Sequence, residues 1–237
     1  MNGEVEEAKI GILCWEAGQV PRGLMQLEEL VGNSTNPASY RYPVRFSPVR
    51  GANVHTILEH PDFLVLDTMI AQAKLLVEQG VKAITTSCGF NAIFQRQLAA
   101  ALSVPVFSSS LLQAPLIRRV LGPKCEICVL TANAGALRAG HLKSVGIPNR
   151  AGLQIRGLEQ CKAWNQMFLL PQSEVDLAEI ETEVLGTARR AMKDSPNIRA
   201  FLLECTDLPP FSAALRRQTG LPVFDFITMV NYLHSTL

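Results

Sequence analysis

The stretch Val81-Lys-Ala-Ile-Thr-Thr-Ser-Cys88 and the stretch Ile198-Arg-Ala-Phe-Leu-Leu-Glu-Cys205 lie 205 − 88 = 117 residues apart, and each ends an apolar run on a cysteine. The offset persists along the chain. It sets Phe94 on Phe211, Leu98 on Leu215 and Pro105-Val106-Phe107 on Pro222-Val223-Phe224. Upstream it sets Leu13 on Leu130, Ala17-Gly18 on Ala134-Gly135 and Gly23 on Gly140. A fixed register over separated stretches marks a duplication, and two copies of this length nearly fill the 237 residues. A solenoid would need shorter units and more of them.

Within each copy, short apolar runs alternate with helical periodicity. Lys9–Cys14, Tyr42–Val49, Ala83–Ser87 and Val104–Ser108 read as strands, although Pro43 and Pro48 weaken the second. Leu64–Glu78 and Ala92–Leu102 read as helices, the first stopped by Gly80. The second copy repeats this with strands at Cys125–Leu130, Ala200–Leu203 and Leu221–Asp225, and helices near Val175–Lys193 and at Ala213–Thr219. Gly152–Ser173, with Trp164, Met167 and Phe168, breaks the pattern and reads as a loop or lid. Strand–helix alternation predicts an α/β fold of two similar domains, each a parallel sheet flanked by helices, related by a pseudo-two-fold axis. The expected division is residues 1–109 plus 227–237 for the first domain and 110–226 for the second.

Composition narrows the function classes. Lys and Arg number 22 against 21 Asp and Glu, with no basic run, so nucleic-acid binding has no electrostatic footprint. No apolar run approaches the ~20 residues of a membrane span. The start, Met1-Asn-Gly-Glu-Val-Glu-Glu7, is acidic and lacks the apolar core of a signal peptide. Six cysteines without a secretory signal point to free thiols in a reducing compartment, and the expectation is a soluble cytoplasmic protein. Cys125 and Cys128 fall inside a predicted strand, where i and i+3 point to opposite faces, so they do not form a redox pair. The four histidines show no metal-ligand spacing and read as surface or capping residues. Gly18 and Gly135 belong to no nucleotide-binding motif.

Cys88 and Cys205 each follow a strand and precede a helix. That is the carboxyl end of a parallel strand, where open α/β sheets bind ligands. The helix N-termini that follow favour an anion such as a carboxylate and lower a nearby thiol's pKa. If the copies face each other, the two thiols approach one cleft from opposite sides, an arrangement suited to removing a proton from one face of a carbon and returning one to the other. A free cysteine is by default small core filler, and Cys14 and Cys161 keep that reading.

Leu202-Leu-Glu-Cys205-Thr206-Asp207-Leu208-Pro209 resembles the second-cysteine motif of the aspartate/glutamate racemase superfamily. Thr86-Ser87-Cys88-Gly89-Phe90-Asn91 departs from that family's first motif, which has Cys-Asn-Thr, and Glu204 stands where the family prefers Gly or Ala. The resemblance spans almost the whole chain. It implies a cofactor-independent racemase of an acidic amino acid, acting by two-base proton transfer between Cys88 and Cys205 with Asp207 assisting Cys205. It further implies no metal, a small-molecule carboxylate substrate and a homodimer. Ser87, Gly89, Phe90, Asn91, Thr131, Asn133 and Thr206, at strand ends, are the candidates to hold substrate. Glu16 is the candidate helper in the first copy, and Arg50 the candidate cation for a side-chain carboxylate. Arg50 reads equally well as part of a solvated face with Arg41 and Arg45, and Asp207 as a helix N-terminal charge. Hydantoin racemase and maleate isomerase, relatives within the superfamily, remain alternatives; arylmalonate decarboxylase keeps only the second-copy cysteine, so Cys88 argues against it. Outside it, a carboxylate-binding protein and a thiol-redox protein remain open.

Overall fold

Burial of the apolar runs decides the layers. In a computed structural model that describes residues 7–237, the first copy runs β1 (Ile10–Cys14), α1 (Arg22–Glu28), β2 (Val44–Pro48), α2 (Phe63–Glu78), β3 (Ala83–Thr86), α3 (Gln95–Ala101), β4 (Val106–Phe107) and α4 (Ala114–Leu121). The second runs β5 (Glu126–Thr131), α5 (Ala139–Ser144), β6 (Leu153–Gly157), α6 (Lys162–Leu169), α7 (Leu177–Asp194), β7 (Ile198–Leu203), α8 (Ser212–Thr219), β8 (Val223–Phe224) and α9 (Phe226–His234). The acidic stretch Met1–Glu6 lies outside the described residues.

Each copy holds one four-stranded, all-parallel sheet, ordered β2-β1-β3-β4 and β6-β5-β7-β8. β1, β3, β5 and β7 are buried almost throughout, as parallel strands covered by helices on both faces must be. Their near-continuous apolar sequences follow from that double burial. α2 begins where the Asp62 carboxylate accepts the Leu64 N–H, and it ends at Gly80, whose φ of +97° suits only a residue without Cβ. α9 returns across the molecule, and Phe226, Met229, Val230 and Leu233 pack with Ile10, Ile12 and Ala83 of the first sheet.

The repeat register fails in one place. Gly152–Ser173 is not a loop: it supplies β6, the edge strand of the second sheet, and α6, whose Trp164 and Met167 are core residues. β6 corresponds to β2 at an offset of 153 − 44 = 109, eight residues off the repeat, so alignment at 117 hides it. The mixed Leu-Gln-Ile-Arg-Gly composition of β6 is that of an edge strand, half covered and without a continuous apolar run. β2 forms despite its prolines because it too lies at an edge, where one row of N–H groups needs no partner. Among the described residues, no helix is long and apolar enough to cross a membrane.

Candidate active site

β3 and β7 end side by side at their carboxyl ends, and the turns that follow carry the two cysteines. Cys88 and Cys205 are buried and line one cavity of about 440 Å³. The turns are tied together directly, because the Thr206 hydroxyl donates to the Ser87 carbonyl. Ser110, from the 3₁₀ turn after β4, adds a second tie by donating to the Leu203 carbonyl.

The Cys205 thiol donates to Asp207 Oδ2 at 3.6 Å, and Asn33 Nδ2 donates to Asp207 Oδ1 at 2.9 Å. Asn33 is fully buried, and its own Oδ1 accepts the Thr35 N–H and hydroxyl. The Asp207 carboxyl is pushed up to about 6, chiefly by burial, with the Asn33 and Cys205 hydrogen bonds opposing. Glu28, at the end of α1, lines the same cavity; burial and then the charge of Asp207 push it up to about 7. Glu204 is fully buried and is raised to about 7, first by burial, while the Thr131 hydroxyl bonded to its Oε2 at 2.6 Å opposes.

Both thiols are raised far above the ordinary range. Burial is the largest cause for each; the charge of Glu204 comes next for Cys88 and that of Asp207 for Cys205. The N–H groups of Phe90 and Asp207 lower Cys88 and Cys205 respectively, the expected effect of donors aimed at a thiolate. The Trp15 indole N–H, unpartnered in any hydrogen bond, lies near enough to Cys88 to help in the same sense.

The rest of the cavity wall is aromatic and aliphatic: Trp15, Phe46, Phe90, Trp164 and Phe168 stand with Leu24, Met25 and Leu58. No Lys, Arg or His lines it among the described residues. Trp164 and Phe168 also wall an adjoining cavity that Asn133, Arg138 and Glu159 line.

The structure therefore brings together Cys88, Cys205, Asp207, Ser87, Gly89, Phe90 and Thr206. It does not place the other expected residues on the wall. Glu16 turns its carboxylate back to accept the Gly51 N–H. Arg50 is exposed and outside the cavity. Asn91 is buried behind the Cys88 turn, and Thr131 is buried behind the wall on Glu204. Asn133 caps its own turn, accepting from the Gly135 and Ala136 N–H groups, and faces the adjoining cavity. His141 is a capping residue but not a surface one. It is fully buried edge-on to Phe90, its Nδ1 accepts the Arg138 N–H, and burial lowers it to about 4. Asn33, Glu28 and Trp15 lie outside both repeat motifs and carried no local signal. No group of His, Cys, Asp and Glu suited to a metal ion occurs among the described residues.

This constellation sits on a fold shared with solved racemase structures. Allantoin racemase from Pseudomonas fluorescens superposes with a TM-score of 0.64 at 15% identity, covering 96% of this chain and 89% of that one. An aspartate racemase homologue from Pyrococcus horikoshii gives 0.58 at 17% identity, covering 97% and 99%. At this identity the likeness is one of fold. By sequence, the chain is similar to a dimethylsulfoniopropionate lyase of Durusdinium sp. clade D, 29% identical over 86% of this chain and 69% of that protein. It is also similar to dimethylsulfoniopropionate lyase 6 of Emiliania huxleyi, 33% identical over 87% of this chain. This chain spans 56% of the Emiliania protein's length. No family model matches the chain.

Proposed function

We propose that the protein is a cofactor-independent lyase that eliminates a neutral sulfide from a β-sulfonio carboxylate of the dimethylsulfoniopropionate type. The observation that carries this reading is the cavity wall: thiols, carboxyls and aromatic faces, with no Lys, Arg or His among the described residues. An acidic amino acid would bring a second carboxylate into a wall that offers it no Arg or Lys. A sulfonium zwitterion brings one carboxylate and one soft cation. The cation suits the faces of Trp15, Phe46, Trp164 and Phe168. Glu28 complements its charge. The carboxylate falls to the N–H groups of the two cysteine turns, the donors that an anion finds where strand gives way to helix.

In the proposed reaction Asp207 takes the Cys205 proton, and the resulting thiolate removes the proton from the carbon next to the carboxylate. The C–H electron pair becomes the new C=C bond, the C–S bond breaks, and its pair leaves on dimethyl sulfide. Acrylate is the other product, and the thiol returns its proton to water. The leaving group departs neutral, so no acid need protonate it. The buried, low-dielectric wall strengthens each electrostatic contact with the developing charge. The relatives' lyase activity supports this chemistry.

A second reading is favoured by one observation: the two thiols share the cavity, which elimination by a single base does not require. Racemisation at a carbon next to a carboxylate, including that of an acidic amino acid, would use both. Proton NMR in D₂O tests the two together, with dimethylsulfoniopropionate, L- and D-aspartate, L- and D-glutamate and a 5-substituted hydantoin as substrates. Vinyl signals of acrylate with release of dimethyl sulfide are expected. Loss of a Cα–H signal from an amino acid or hydantoin, with no acrylate from the sulfonium compound, would overturn the lyase reading in favour of a racemase.

A further inference from the structure

Glu204 is a carboxyl that neither proposed step uses, and it is set where a charge is costly. It is fully buried; Oε2 accepts the Thr131 hydroxyl, and Oε1 has no partner. An unpaired buried carboxylate oxygen loses its hydration without recompense. The side chain leans on the Cys88 turn. A Cβ built on Gly89 would stand 2.1 Å from the Glu204 carbonyl oxygen and 2.3 Å from Oε1. Backbone cannot yield by that much, so the Glu204 carbonyl requires glycine at 89, and Oε1 lies in the space that a side chain there would take. The two departures from the racemase motifs noted in the sequence thus lie against each other, the carboxyl occupying the space beside the glycine.

The ionisable groups facing this pair are acidic. Cys88 stands on its own turn, Cys205 and Asp207 follow Glu204 on the β7 turn, and Glu28 reaches in from α1. His141 of α5 packs on Phe90 beside them and is held neutral by burial. Thr131 from β5 and Trp15 after β1 contribute neutral donors. With no Lys, Arg or His in the wall among the described residues, two negative charges across the Gly89 turn would face each other unscreened.

We propose that Cys88 and Glu204 hold a single negative charge between them, so that Glu204 must carry its proton whenever Cys88 acts as a thiolate. Glu204 is a positioning residue in this role: it touches no substrate and sets the charge that Cys88 bears. The arrangement is that of two acids sharing one site, whose titrations belong to the pair. It explains how a carboxyl can stand beside a working cysteine without silencing it. The inference rests on the proposed function only in that Cys88 faces the working cavity, and its test uses no substrate.

The test is the rate of Cys88 alkylation by iodoacetamide from pH 6 to 10, read by peptide mass spectrometry in the wild type, Glu204→Gln and Glu204→Ala. Cys205 serves as the internal comparison, and a thermal melt confirms that each variant is folded. Glutamine keeps the shape and removes the charge. Glu204→Gln is expected to alkylate Cys88 about tenfold faster at pH 8.5, equivalent to a one-unit fall in thiol pKa, and along a single titration curve. Cys205, for which Asp207 is the larger charge, is expected to change less. Slower alkylation of Cys88 in Glu204→Gln would overturn the proposal and make Glu204 a base for the thiol. Equal rates in wild type and Glu204→Gln at every pH would overturn it as well. If the wild type releases no acrylate while the alkylation shift is observed, the lyase reading fails and this inference stands.

Discussion

Glu28 carries a consequence for stability whose sign is unusual for a carboxylate. Its carboxyl rises from the ordinary 4.5 to about 7, first because burial disfavours the charge and then because Asp207 repels it. The folded protein therefore binds this proton more tightly than the unfolded chain. The stability associated with it is complete below pH 4.5 and is lost as pH rises through 7. About 2.5 pKa units at 1.36 kcal/mol each give roughly 3 kcal/mol, which partial access to solvent reduces to about 2 kcal/mol. In Glu28→Gln the site stays neutral, so the loss disappears. Urea unfolding of wild type and variant at pH 5 and pH 8 measures it. The variant's stability relative to wild type should improve by about 2 kcal/mol between the two. His141, lowered from 6.5 to about 4, works in the opposite sense: its stability is present above 6.5 and is lost as pH falls through 4. It is unchanged in both proteins and cancels in the difference. A difference that stays constant with pH, or moves against the variant at pH 8, would refute the reasoning.

Other expectations can be checked alongside. Cys205→Ser should lower acrylate release by 10²–10⁴-fold, roughly the contribution of a positioned base, and on the second reading both Cys205→Ser and Cys88→Ser should abolish racemisation. Full activity in Cys205→Ser would end the Cys205–Asp207 account. Asn33→Ala removes the 2.9 Å donor that opposes the rise of Asp207, so the acid limb of the pH–rate profile should move to higher pH. The same change strands Thr35 and should cost about 1–3 kcal/mol in urea unfolding. Trp164→Ala should raise KM for the sulfonium substrate about tenfold, and a quaternary ammonium carboxylate should protect wild type better than the variant from thiol alkylation. Arg50→Ala should leave both kcat and KM within twofold, since Arg50 lies outside the cavity; a tenfold KM increase would restore it as a carboxylate receptor.

The repeat at 117 residues already specified the α/β duplication, the parallel sheets and the placement of Cys88, Cys205 and Asp207 at strand ends, because these are local properties. A buried parallel strand announces itself by a continuous apolar run, and the residue that ends it stands at the ligand-binding edge whatever surrounds it. β6 escaped because an edge strand has no such run and sits eight residues off the repeat. Only the tertiary structure decided what the thiols face. Asn33 reaches Asp207 across 174 residues of sequence, and Glu28, Trp15 and Trp164 arrive from three further segments, none in a motif. Strand-end position likewise could not say that Glu16 turns back to Gly51, that Asn133 caps its own turn, or that Arg50 points to solvent. Side-chain direction is settled by packing against distant neighbours, and that packing leaves no Lys, Arg or His on the cavity wall among the described residues. The sequence placed the two thiols at strand ends; the charge of the wall they face exists only once the two sheets have met.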